Sequence, residues 1–230
     1  KLGGDILNTI LENPDKMQTI AELLKDKNFE EIIRLGRQRL EEMRTEREET
    51  NYKLTLGKYI EKVLRSKLEE QLHDNPINNQ TICVLGEQDW EGCDLMVMLN
   101  NHAVYSIEVK SRWGCDQSIL MTSHQMFTAR EDIERYALCC VDMSNKVIED
   151  INRSPESDPE LVRDIIDKTK VLTNIGKLVE PIKTGDDTSV HIKPDFKCVV
   201  PLGVINSNSC SFNDMVEDIL KIIKSDKGLF

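Results

Sequence analysis

The spacing of apolar residues divides the chain into a helical opening, a strand-rich middle and a mixed end. Ile6, Leu7, Ile10 and Leu11 recur at helical spacing before Asn13-Pro14 interrupts them. Asp15 is placed to cap a second segment reaching Leu24. From Phe29 to Glu49, Ile32, Ile33, Leu35, Leu40 and Met43 alternate with dense Arg and Glu. Arg39 and Arg44 with Glu42 and Glu46 predict a solvated helix surface. Residues 54–72 predict a firmer helix, because Leu56, Tyr59, Ile60, Val63, Leu64, Leu68 and Leu72 return every third or fourth position. His73-Asp74-Asn75-Pro76 ends it.

The period then shortens to two. Thr81–Leu85, Asp94–Leu99 and Ala103–Lys110 predict three strands, the last two joined as an antiparallel hairpin by Asn100-Asn101. Thr122 or Ser123 caps a helix running to about Arg135. Tyr136–Val141 predicts a buried strand. Beyond Asp142 the pattern predicts a helix over 146–152, a loop over 154–159 and a helix over 160–172. A loop follows over 183–187, then extended chain over 196–200 and 202–205 around Pro201. An amphipathic helix over 213–224 closes the chain. The expected fold is α/β, a mixed sheet of about four core strands flanked by helices and preceded by an N-terminal helical arm. The arm is assigned to residues 1–50 and the domain to 51–230, with its core over 54–143 and an elaboration over 144–230.

Composition narrows the function classes. No apolar run approaches the ~18 residues that a membrane helix needs, and no secretory leader is visible, so a cytoplasmic protein without membrane contact is expected. The seven cysteines form no CxxC pair, and the four histidines form no HxxxH or HExxH pair. Reduced thiols fit this better than a zinc cluster. The net charge of −11 argues against a nucleic-acid coat protein. It leaves room for a nuclease, whose site gathers carboxylates around metal ions. The chain begins at Lys1 with no Met and is read as a piece of a longer protein.

The candidate chemistry lies on the hairpin. Residues two apart on a strand share a face, so Glu108 and Lys110 project together while Val109 turns away. Pairing across Asn100-Asn101 brings Asp94 to the same end. Two carboxylates with a backbone carbonyl beside them hold hard divalent cations such as Mg²⁺. A lysine beside them orients water or stabilises charge developing on a phosphate. Gln125, on the following helix, is a candidate for binding phosphate or a water at the metal. Lys58, Lys62, Arg112, Arg130 and Arg135 are candidate phosphate contacts. Trp113 is read as covering the edge of the core rather than stacking on a base.

Gly92-Cys93-Asp94 followed by Ile107-Glu108-Val109-Lys110-Ser111 resembles the PD-(D/E)XK restriction-endonuclease-like superfamily. Gly57 to Leu64 looks like the first core helix of its resolvase-like members, which implies that Glu61 reaches the metal site. Closer still is the resemblance to the C-terminal domain of NO VEIN-type proteins and of bacterial proteins with an upstream ATPase. It rests on Gly92-Cys93-Asp94, Ile107–Lys110, Met121–Gln125 and Tyr136–Val141, and it covers about residues 54–143. Cys93 stands where that family has an aromatic residue. The resemblance implies a Mg²⁺- or Mn²⁺-dependent endonuclease acting on DNA, part of a larger bacterial protein of phage defence or DNA maintenance. Asp94, Glu108, Glu61 and the Val109 carbonyl would hold the metal, with Lys110 and Gln125 beside them. The arm is similar to the helical run that joins such domains to their ATPases, and it is expected to supply a homodimer contact or the link to an ATPase. The alternatives are a catalytically inactive nuclease-like domain used for nucleic-acid binding, or a protein-assembly module.

Overall fold

A computed structural model describes residues 18, 29–74, 81–86, 92–144, 157–178, 191–192 and 197–225. The chain divides into two units, Lys1–Lys53 and Leu54–Phe230. The expected segments over 5–24, 146–152 and 183–187 lie almost wholly outside the described residues. So does the first half of the loop over 154–159.

Helix α1 covers Phe29–His73. Within the first unit, residues 34–51 are exposed with the exception of none in that run, including Leu35, Leu40 and Met43. Arg39 pairs with Glu42 at 3.1 Å and Arg44 with Glu48 at 3.0 Å. Exposed pairs of this kind contribute only a few tenths of a kcal/mol each, about 0.2–0.5.

In the second unit α1 changes character. Leu56, Tyr59, Ile60, Val63, Leu64, Leu68 and Leu72 are all buried, as their spacing predicts. Strand β1 is Ile82–Gly86, β2 is Leu95–Leu99 and β3 is His102–Arg112. Asn100 and Asn101 both take positive φ, 49° and 68°, the conformation that a tight two-residue hairpin requires. Strand β4 (Ile119–Met121), helix α2 (Ser123–Glu131) and strand β5 (Tyr136–Asp142) follow. Then come α3 (Pro159–Asp167), β6 (Thr169–Leu172), α4 (Ile175–Leu178), β7 (His191–Ile192) and β8 (Cys198–Val200). The described chain ends with α5 (Leu202–Asn208), β9 (Cys210–Ser211) and α6 (Phe212–Ser225).

The fold is mixed α/β. The main sheet runs β1-β2-β3-β5-β6-β9, and β4-β8-β7 form a second, three-stranded sheet. Only the β3–β5 contact is parallel among these pairings; the others are antiparallel. One face of the main sheet carries Tyr136, Leu138, Cys140 and Leu172. It packs on Met126 and Ala129 of α2, Ile175 of α4, Val204 and Ile205 of α5, and apolar residues of β4 and β8. On the other face, Cys139 meets Met215 of α6. No helix among the described residues is long and apolar enough to cross a membrane.

Two expected elements are corrected. The helix anticipated over 160–172 stops at Asp167, and Thr169–Leu172 is a strand paired antiparallel with β5. Asp158 caps α3 by accepting from the Leu161 amide, and Pro159 opens it. Val171 and Leu172 are fully buried beside β5, so strand pairing outweighs helix periodicity. The extended run anticipated over 202–205 is helix α5, with Pro201 at its N-cap and Val204 and Ile205 packed into the core. The sheet also has six strands where about four were expected, because the short β6 and β9 extend it.

Gly176 sets how closely α4 approaches α2. A Cβ there would lie 2.0 Å from the Ala129 carbonyl oxygen, so backbone would have to move. Gly176→Ala is expected to cost on the order of 1–3 kcal/mol by overpacking, seen as a lower urea midpoint. Gly203→Ala meets nothing within 4 Å and serves as the control, with its midpoint unchanged or slightly raised. Equal midpoints for the two variants would refute this account of the α2–α4 contact.

Candidate active site

The β2–β3 register builds the site. Leu95 pairs with Ile107, and one residue earlier the Asp94 amide donates to the Ile107 carbonyl at 3.0 Å. Asp94 therefore stands where β2 begins, beside Glu108. Its Oδ2 accepts from the Val109 amide at 2.8 Å, so one carboxylate oxygen closes the ladder where the strand pairing stops. A residue's N–H and C=O point to the same edge of a strand. The Val109 carbonyl thus faces the Asp94 side, beyond the last β2 pair.

The parallel β3–β5 register places Glu108 opposite Leu138 and Lys110 opposite Cys140. Both partners belong to the apolar face packed by α2, β4 and β8. Glu108 is consequently a carboxylate with 0% exposure inside a hydrophobic sheet face. Burial raises its pKa from 4.5 to about 8, and the nearby Asp94 charge adds to the rise while Lys110 opposes it. For Lys110, burial favours the neutral amine. The charge and hydrogen bond of Glu108, with the charges of Asp94 and Glu61, outweigh this and raise its pKa.

Glu108 is held from two sides through Oε1, which accepts from the Lys110 ammonium and from the Gln125 amide. Gln125 is itself fastened. Its Oε1 accepts from the Thr122 amide at 2.8 Å, and the Thr122 hydroxyl accepts from the Gln125 amide at 3.2 Å, which closes a capping box at the start of α2. The same glutamine thus caps the helix and orients Glu108. The other carboxylate oxygen, Oε2, is buried and accepts no hydrogen bond among the described residues.

The loop that carries Asp94 depends on Gly92. Its φ is +104°, and a Cβ would lie 2.4 Å from the Thr128 hydroxyl of α2. The Tyr136 hydroxyl donates to the Gly92 carbonyl at 2.7 Å. Cys93 is half-buried, and burial pushes its thiol up. Smaller than the aromatic residue expected there, it packs against the core cluster.

The remaining candidates divide. Glu61 is half-buried on α1, and its charge acts on Lys110. Among the described residues, no group of three or more His, Cys, Asp and Glu side chains lies gathered as a metal site. Arg112 is drawn into structure: its guanidinium pairs with Asp142 and donates to the Gly114 and Cys115 carbonyls, ordering the turn after β3. Trp113 is half-buried in that turn, its amide donating to Gln117 at 3.0 Å. Lys58 and Lys62 are exposed on α1, whereas Arg130 and Arg135 are half-buried. A groove of about 790 Å³ lined by Val63, Lys67, Glu70, Val162, Arg163 and Ile166 contains none of the candidate residues. Sequence reasoning did not single out Tyr136 or the Arg112–Asp142 pair. The double role of Gln125 was foreshadowed by Thr122 and Gln125 at capping-box spacing.

The chain matches no protein-family model, and no curated protein is significantly similar to it.

The raised Glu108 pKa has a consequence in metal-free buffer. Its stabilising contribution is complete below about 4.5 and is lost as pH rises through about 8, because ionisation then takes place in the core. With EDTA present, wild type should lose stability relative to Glu108→Gln between those values, as measured by urea unfolding across pH. Parallel stability curves would refute the raised pKa.

Proposed function

We propose that this chain is a divalent-metal-dependent nuclease module of the PD-(D/E)XK type that cleaves DNA phosphodiester bonds. The observation that carries this reading is the meeting of Asp94, Glu108 and Lys110 at one end of the β2–β3 hairpin, with one Glu108 oxygen buried and accepting no hydrogen bond among the described residues. A buried polar atom without a partner costs about 1–3 kcal/mol, and more when charged. A cation ligated there would offset that cost. The donor set suits Mg²⁺ or Mn²⁺: Asp94, Glu108 and the Val109 carbonyl are hard oxygen ligands. Glu61, whose charge acts on Lys110, would join them as the resemblance implies.

When bound, the cation would supply neutralisation of the scissile phosphate and acidification of an attacking water. The residues of this chain would do the rest. Glu108, ionised once a cation relieves its burial, and Asp94 orient the reacting groups. Lys110, whose partner carboxylate is then shared, orients the attacking water through a hydrogen bond or stabilises a phosphate oxygen as negative charge builds there. Gln125 keeps Glu108 in place throughout. The exposed Leu40 and Met43 of the first unit support a homodimer contact on that helix surface, and an upstream ATPase belongs to the same reading.

Incubation with supercoiled plasmid and Mg²⁺ or Mn²⁺ should produce nicked and linear DNA. Asp94→Ala should lower the rate by roughly two orders of magnitude or more, the scale of losing a catalytic electrostatic group. Persistent cleavage by Asp94→Ala would assign the activity elsewhere, and intact plasmid with wild type would remove the nuclease reading in favour of a non-catalytic binding domain.

Metal alone should also separate the roles. Mn²⁺ should raise the melting temperature of wild type by mass action, and Asp94→Ala should abolish the rise. Lys110→Ala should keep it while losing cleavage, because the ammonium competes with the cation for Glu108. Identical Mn²⁺ titrations of wild type and Asp94→Ala in a calorimeter would exclude this site as the metal centre.

A further inference from the structure

We propose that the Tyr136 hydroxyl is a positioning group for Asp94: by holding the Gly92 carbonyl it fixes the loop that presents this carboxylate beside Glu108, and so sets how tightly the site takes a divalent cation. The inference rests on the metal-site reading above.

Tyr136 is the first residue of β5 and is fully buried. It pairs with Ser106 across the parallel β3–β5 contact, one step along the same sheet face from the Glu108–Leu138 pair. A phenol removed from water needs a hydrogen-bond partner, and most of the ring's contribution is apolar packing. The partner here is the Gly92 carbonyl, at 2.7 Å, two residues before Asp94. The hydroxyl therefore spans from the strand beside β3 to the loop that leads into β2.

Asp94 is fixed downstream by its own bonds, from its amide to the Ile107 carbonyl and from the Val109 amide to its Oδ2. Upstream, the Tyr136–Gly92 bond acts together with hydrogen bonds of the Cys93 thiol to Ser106 and to the Ile107 backbone. Gly92 closes the arrangement from the other side: its φ of +104° turns the backbone against Thr128 and His124 of α2, where a side chain would not fit. The glycine makes the turn available, and the tyrosine holds it. Metal coordination tolerates displacements of only about 0.5 Å in its donor oxygens, so the stiffness of this loop bears directly on affinity. Removing the hydroxyl leaves the ring volume in the core and releases the loop alone.

Three chains measured with Mn²⁺ alone, by calorimetry and by the electron paramagnetic resonance of the bound ion, test this. They are wild type, Tyr136→Phe and Ile219→Val. Ile219 is buried on α6, the helix on the Cys139 face, and its substitution lowers stability without touching the loop. Tyr136→Phe should bind Mn²⁺ on the order of tenfold more weakly, the scale of losing a group that orients a ligand. Its bound-ion spectrum should change, while Ile219→Val keeps the wild-type affinity and spectrum. Equal affinity for wild type and Tyr136→Phe would overturn the inference and leave the metal site intact. So would equal weakening in Tyr136→Phe and Ile219→Val, which would make the effect one of stability. Wild type that binds no Mn²⁺ would instead overturn the underlying reading. Should Tyr136→Phe not fold, Gly92→Ala displaces the same loop from its α2 side and must weaken Mn²⁺ binding likewise; unchanged affinity there overturns the inference.

Discussion

Glu108 is a carboxylate placed where the sheet would otherwise carry an apolar side chain. Its backbone register puts it among Tyr136, Leu138 and Cys140, on the face that packs α2 and the second sheet. Removing a carboxylate from water is expensive, and proteins meet that cost by protonation, by pairing or by a bound cation. The surroundings of Glu108 show pairing and favour protonation. Its pKa is raised by burial, and one oxygen is shared by Lys110 and Gln125. The second oxygen accepts no hydrogen bond among the described residues. An apolar residue would serve this position better if packing were its only purpose.

The supporting structure follows from that placement. Gln125 reaches Glu108 only because Thr122 starts α2 at the right point, and the capping box fixes both. Helix α2 is held against the core by Met126 and Ala129, and α4 lies close over it because residue 176 is glycine. Gly92 permits the loop before β2 to pass against Thr128 of the same helix. The apolar core and the polar site are thus one construction: each element that buries Glu108 also supplies or positions one of its neighbours.

Charge is distributed unevenly between chemistry and scaffold. The chain carries a net charge of −11, yet Lys110 stands against Glu108, paired with it and drawn also by the charges of Asp94 and Glu61. Arg112, only two residues further along β3, is spent on Asp142 and on carbonyls of the next turn. On the proposed reading, phosphate attraction would come largely from bound cations or from other domains, since the net negative charge repels a nucleic acid.

The sequence by itself determined the elements whose pattern is local. The helical spacing from Leu56 to Leu72, the Asn100-Asn101 hairpin and the alternation through Glu108-Val109-Lys110 were legible because each depends on neighbours a few residues away. Tertiary structure decided the rest. Thr169–Leu172 is a strand because β5 offers an edge to pair with, and Leu202–Asn208 is a helix because Val204 and Ile205 find the core. Neither partner is visible in the local pattern. The same holds within the site. Asp94, Glu108 and Lys110 could be named from a hairpin, but the burial of Glu108 required the parallel pairing with β5. Its bond to Gln125 joins residues 17 apart, and the Tyr136 bond to Gly92 joins residues 44 apart. Hydrogen bonds across such separations follow from how strands and helices pack, and no local period encodes them.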